Sequence, residues 1–98
     1  MKILLSPISM FASYTLAVDG AAIILDSVRY SLRDLVANMP QYDEQGELVA
    51  PSSLPRFVVS ATEDSVTLLL PYWGAPSQAV AFPEPIIDPP DGPVQLPE

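Results

Sequence analysis

The 98-residue chain carries a formal net charge of −8, with twelve acidic residues against Lys2, Arg29, Arg33 and Arg56. That length fits one domain, and four scattered basic residues do not make the patch that phosphate neutralisation or an anionic membrane surface requires, so neither nucleic-acid binding nor attraction to such a membrane surface is expected. Cysteine and histidine are both absent, which excludes disulfides, thiolate nucleophiles and the usual zinc ligands, and removes the commonest general base.

Lys2 to Ser6 is predicted as a first short strand that stops at Pro7, because proline cannot donate to a ladder. Lys2, Ile3-Leu4-Leu5 and the apolar residues to Val18 have the outline of a signal peptide. Pro7 and Tyr14 interrupt that run, however, and cleavage near Ala17 would remove a strand that the next segment needs, so the segment is assigned to the fold. No apolar run approaches the roughly 18 to 20 residues of a spanning helix. Ile8 to Ser13 is read as a connection, with Met10 and Phe11 as core or sheet-edge fillers.

Tyr14 to Tyr30 is predicted as a three-stranded meander. Asp19-Gly20 suits a two-residue hairpin turn, which sets Val18 opposite Ala21, Leu16 opposite Ile23 and Tyr14 opposite Leu25 on one face. A second turn at Asp26-Ser27 extends that face, placing Val28 opposite Leu25 and Tyr30 opposite Ile23. Thr15, Ala17, Ala22, Ile24 and Arg29 take the reverse side.

After Tyr30 the period becomes helical. Leu32, Leu35, Val36 and Met39 predict one short helix near 32–39, with Ser31 as N-cap, Asp34 in the first turn and Pro40 as terminator. Gln41 to Pro55 reads as a long surface loop that is either mobile or used for contact. Its Asp43, Gln45 and Gly46 lack the alternating oxygen ligands and closing Glu of a calcium loop, so no metal is assigned.

Arg56 to Ser60 and Ser65 to Leu70 predict a further hairpin. Phe57, Val59, Val66, Leu68 and Leu70 are expected on one face, and Val58, Ser60, Thr67 and Leu69 on the other. The run Leu68-Leu69-Leu70 suggests a central strand covered on both sides, ended by Pro71. Tyr72-Trp73-Gly74 has two readings: a core cap in which Trp73 folds back, and an interface platform built from Tyr72 and Trp73.

From Pro76 onward seven of the twelve prolines favour polyproline II over helix or central strand. Residues 83–98 are expected to form an extended arm beside a 1–82 domain. Ile86, Ile87, Val94 and Leu96 suit docking in a groove on a neighbour, while a solubilising acidic tail is the alternative. The carboxylate pairs Glu63-Asp64, Asp43-Glu44 and Glu84 with Asp88 all fall in turns, loop or tail. No catalytic, cofactor-binding or metal-binding residue is therefore assigned.

Four segments carry a resemblance: Met1-Lys2-Ile3-Leu4-Leu5-Ser6-Pro7, Val28-Arg29-Tyr30-Ser31-Leu32, Leu68-Leu69-Leu70-Pro71-Tyr72 with Gly74-Ala75-Pro76, and Phe82-Pro83-Glu84-Pro85-Ile86 with Asp91-Gly92-Pro93-Val94. Together they resemble small proteins encoded in the tail-gene modules of long-tailed bacteriophages and prophages. The chain departs from that pattern at Leu32 to Met39, where a helical period replaces an irregular segment. The resemblance implies a non-enzymatic component of the virion tail, at its tip, baseplate or fibre region, present in the host cytoplasm during assembly and bound to other phage tail proteins, with association between copies left open. The alternative is an assembly factor absent from the mature particle, and a small hydrolase or carbohydrate-binding module is a third class. The expected fold is mainly β: a small antiparallel sheet or sandwich-like domain with one short helix and a Pro-rich extended arm.

Overall fold

The computed structural model describes residues 1–98. It contains ten strands: β1 (Lys2–Ser9), β2 (Leu16–Asp19), β3 (Ala22–Leu25), β4 (Val28–Ser31), β5 (Gln41–Tyr42), β6 (Leu48–Ala50), β7 (Val58–Ala61), β8 (Ser65–Tyr72), β9 (Ile86–Ile87) and β10 (Gly92–Val94). Two short helices, α1 (Leu32–Ala37) and α2 (Gln78–Ala81), complete the mainly β fold. One four-stranded sheet has the order β7-β8-β1-β9 and another the order β10-β2-β3-β4, while β5 and β6 form a separate hairpin. A core of 13 buried residues draws Ile3, Val66 and Leu68 from the first sheet, Leu16, Val18, Ile23 and Leu25 from the second, and Leu32 and Leu35 from α1. Burying one face of each sheet against the other is the sandwich solution to two half-apolar surfaces.

The meander keeps its expected faces with a corrected first turn. Leu16 pairs with Leu25, Val18 with Ile23 and Asp19 with Ala22, so the loop is Gly20-Ala21 rather than Asp19-Gly20. Gly20 has φ +60°, and a positive φ at the first central position alone is what a type II′ turn asks of glycine. Every expected partner moves by two residues, which leaves the side chains on the same face. The second turn matches the expectation: Leu25 pairs with Val28 and Ile23 with Tyr30. Asp26 and Ser27 have φ of 49° and 71°, the left-handed pair of a type I′ turn. Asp26 also continues the ladder, donating its N–H to the Thr15 carbonyl while its Oδ1 accepts from Thr15 N–H.

Helix α1 forms where the spacing predicts it. Ser31 closes β4 opposite Ala22 and then caps the helix, its Oγ accepting from the Asp34 N–H at 3.1 Å. Leu32 and Leu35 enter the core, whereas Val36 and Ala37 face solvent.

The first sheet is where the expectations need most correction. β1 and β8 are parallel, with Ile3 opposite Val66, Leu5 opposite Leu68 and Pro7 opposite Leu70, so both strands run through the prolines that were expected to end them. The hydrogen bonds show why this is tolerated. Lys2 N–H donates to the Asp64 carbonyl and Met10 N–H to the Tyr72 carbonyl. Even-numbered residues of β1 therefore bond toward β8, and odd-numbered ones, Pro7 among them, point to the opposite edge. That edge is covered by β9 only at Lys2 and Ile3. Pro71 likewise points to the β7 side of β8, beyond the reach of the Val58–Leu68 pair. Each missing N–H thus falls where no strand would have received it.

The β7–β8 hairpin loses its expected parity. Val58 pairs with Leu68 and Ala61 with Val66 across an irregularity between Val58 and Ser60. Val58 and Ala61 are consequently buried, while Val59, expected to share a face with the buried Val66 and Leu68, is 47% exposed. The cause lies upstream: Phe57 has φ +76°, closing a turn in which Val58 N–H donates to the Pro55 carbonyl at 3.1 Å. The Phe57 ring packs 4.7 Å from that of Tyr14, and the Arg56 guanidinium lies 4.8 Å from its centroid. A bulky residue at positive φ is strained, and these contacts hold it there.

Two further segments gain structure that the sequence reading left out. Within the expected 41–55 loop, β5 and β6 form a hairpin. The Pro-rich end is laid along the protein's own sheets: β9 pairs with Lys2–Ile3, and β10 pairs with Leu16–Val18. Both are edge positions, which suits Pro93. The Asp91 carboxylate accepts from Gly20 N–H, and Asp88 N–H donates to the Met1 carbonyl. Helix α2, with Ser77 as its cap, occupies the one gap between Pro76 and Pro83 long enough to hold a turn.

Candidate protein-docking surface

Parallel strands leave a sheet at the same end, so β1 and β8 deliver their following residues side by side. Ser9 and Tyr72 are the last pair. Beyond it Phe11 and Trp73, 62 positions apart in sequence, meet edge to face with ring centroids 5.3 Å apart and planes at 70°. Phe11 is 82% and Trp73 73% exposed. Gly74, with φ +77°, turns the chain away immediately after the indole, a conformation that a residue with a Cβ resists. Beside the ring pair lies a shallow groove of about 410 Å³, lined by Met10, Phe11, Ala12, Ser13, Pro71, Tyr72 and Trp73. The lining carries no formal charge.

This arrangement corrects two readings. Trp73 does not fold back to cap the core, and Phe11 is not a filler, although Met10 beside it does pack against the core. The aromatic residues of the core are instead Tyr14 and Phe57, and the Tyr14 hydroxyl donates to the Leu69 carbonyl at 2.7 Å. Burial pushes the Tyr14 pKa up to about 12.

The proposed partner-binding residues do not form one surface. Tyr72 and Trp73 sit at the C-terminal end of β1 and β8. Ile86 and Ile87 lie at the other end of β1, opposite Ile3 and Lys2. Ile86 packs against the core, and Ile87 is 60% exposed. Val94 pairs with Leu16 on the second sheet, and both Val94 and Leu96 pack against the same core. Three of the four arm residues are thus committed to this chain's own interior. Phe11 was missed because its partner across the groove becomes visible only once β1 and β8 are known to be parallel. A cue was nonetheless present: Phe11 lies between two strands and belongs to neither period.

Several of the aspartates have structural partners. Asp19 bonds Arg29 at 3.0 Å, Asp64 accepts from Thr62, and Asp43 Oδ1 accepts from both Gln45 and Glu47 N–H. These bonds hold turns and strand ends in register. No helix is long and apolar enough to cross a membrane. No protein-family model matches the chain, and no curated protein or solved structure matches it significantly.

Proposed function

We propose that this protein is a non-enzymatic interaction component of a bacteriophage tail, in the tip, baseplate or fibre region, and that it docks on neighbouring tail proteins through Phe11, Tyr72 and Trp73. The observation that carries the docking role is the exposed edge-to-face pair of Phe11 and Trp73. Large aromatic side chains exposed to water are characteristic of interface anchors, because they bury much area while losing little rotamer freedom. The uncharged groove beside them suits an apolar or aromatic side chain from the partner. The chain has neither histidine nor cysteine, and Asp19, Asp43 and Asp64 serve turns and strand ends, which favours a binding role over acid–base chemistry. Assignment to a phage tail rests on the sequence resemblance of its four segments.

Mass spectrometry of purified particles tests the reading. A tail component is present at a fixed ratio to the major tail proteins and survives washing in high salt. Presence in the host lysate together with absence from particles would instead make the protein an assembly factor.

A further inference from the structure

We infer that the β5–β6 hairpin is a second docking element, and that its partner is a protein surface with an apolar groove rimmed by Lys or Arg. Every residue from Gln41 to Val49 is exposed, yet three of them are large and apolar: Tyr42 at 62%, Leu48 at 57% and Val49 at 64%. Tyr42 and Leu48 are a cross-strand pair, so their side chains are neighbours on one face. A two-stranded hairpin with no covering layer is marginal in water by itself.

This hairpin is nevertheless tied by hydrogen bonds at both ends. At the tip the Asp43 N–H donates to the Glu47 carbonyl, Gly46 N–H donates to the Asp43 carbonyl, and Gly46 takes φ +80°. At the base Ser53 N–H donates to the Asn38 carbonyl at 2.8 Å. The shape is therefore set before binding, which lowers the ordering cost that an interface must repay.

Charge decides what the partner looks like. Asp43, Glu44 and Glu47 surround the apolar residues, and positions 41 to 55 contain no Lys or Arg. A second copy of this chain, itself at −8, repels such a tip. A surface with an apolar floor and basic rim complements it, both in the approach and in the docked state. This hairpin is separate from the Phe11–Trp73 groove, and the inference does not depend on the partner being a tail protein.

The test places the photo-crosslinker benzoyl-phenylalanine at position 49 of the full-length protein, in the cells that produce it, and maps the adduct to residues of the partner. The expected result is one discrete adduct in a segment where Lys or Arg flanks apolar residues. Glu44→Lys with Glu47→Lys should cut its yield at least tenfold, as should Tyr42→Ser with Leu48→Ser. Reversing the partner's basic residues to Glu should restore the yield with the first double variant alone. Thermal melting and circular dichroism of all variants should match the parent, since neither pair touches the core. Absence of a discrete adduct, an adduct to another copy of this chain, or a yield indifferent to charge reversal would overturn the inference. Whether the partner is a tail protein bears only on the proposed function.

Discussion

The Tyr14 hydroxyl donates to the Leu69 carbonyl at 2.7 Å, in the position where the next N–H of β7 would stand if that strand were longer. Leu69 N–H already bonds the Phe57 carbonyl at 2.8 Å, so a side chain closes the ladder where the backbone turns away. Tyr14 thereby ties the entry to the second sheet onto the central strand of the first.

Removing that oxygen should be costly while the ring still packs. Tyr14→Phe leaves the Leu69 carbonyl without this partner and should lower stability by about 1 to 2 kcal/mol, read as a reduced urea midpoint at pH 7 with an unchanged slope.

The same hydroxyl makes stability fall in alkali. The folded-state pKa, about 12, lies above the ordinary 10.0, so above pH 10 the unfolded chain releases a proton that the folded one retains. The unfolded state then binds fewer protons, and stability declines as pH rises from 10 toward 12. Urea midpoints at pH 9 and pH 11 should show a steeper loss for the parent than for Tyr14→Phe, narrowing the gap between them.

Gly20 offers a test of pure backbone cost, since a Cβ built there meets nothing within 4 Å. At φ +60° a β-branched residue is strained all the same. Gly20→Val should destabilise by about 1 kcal/mol or more, and Ala21→Val, at the neighbouring loop position without a positive φ, should cost clearly less.

Much of the second sheet was legible because its determinants are local. Asp26-Ser27 selects its turn, Ser31 caps its helix, and alternation from Leu16 to Leu25 fixes the buried face even though the first turn is displaced by one residue. The first sheet was not legible in the same way. Pro7 and Pro71 end strands only when their missing donors face a partner, and which edge they face depends on a parallel pairing between segments 63 positions apart. The parity of β7 fails at Phe57, whose left-handed backbone comes with a ring packed on Tyr14, a distant residue that no local pattern connects to it. For the site, Tyr72 and Trp73 could be read from composition, but Phe11 joins them only through that long-range pairing.

Residues 83–98 should prove structural. They supply β9, β10 and three partly buried side chains, Ile86, Val94 and Leu96. With about two-thirds or more of each buried, these contribute about 5 kcal/mol together before their backbone bonds are counted. Deletion of 83–98 should therefore lower the thermal midpoint markedly and expose surface that binds a hydrophobic dye. A truncated chain that melts like the parent would show the segment to be a detachable arm.

The proposed docking role stands on the exposed aromatic pair at the end of the first sheet. Its most direct test is quantitative mass spectrometry of particles assembled with the parent or with Phe11→Ser and Trp73→Ser combined, after confirming equal cellular levels and equal melting. The account predicts that the parent is present at a fixed ratio and that the double variant is depleted at least tenfold. Equal incorporation of a folded double variant would contradict it.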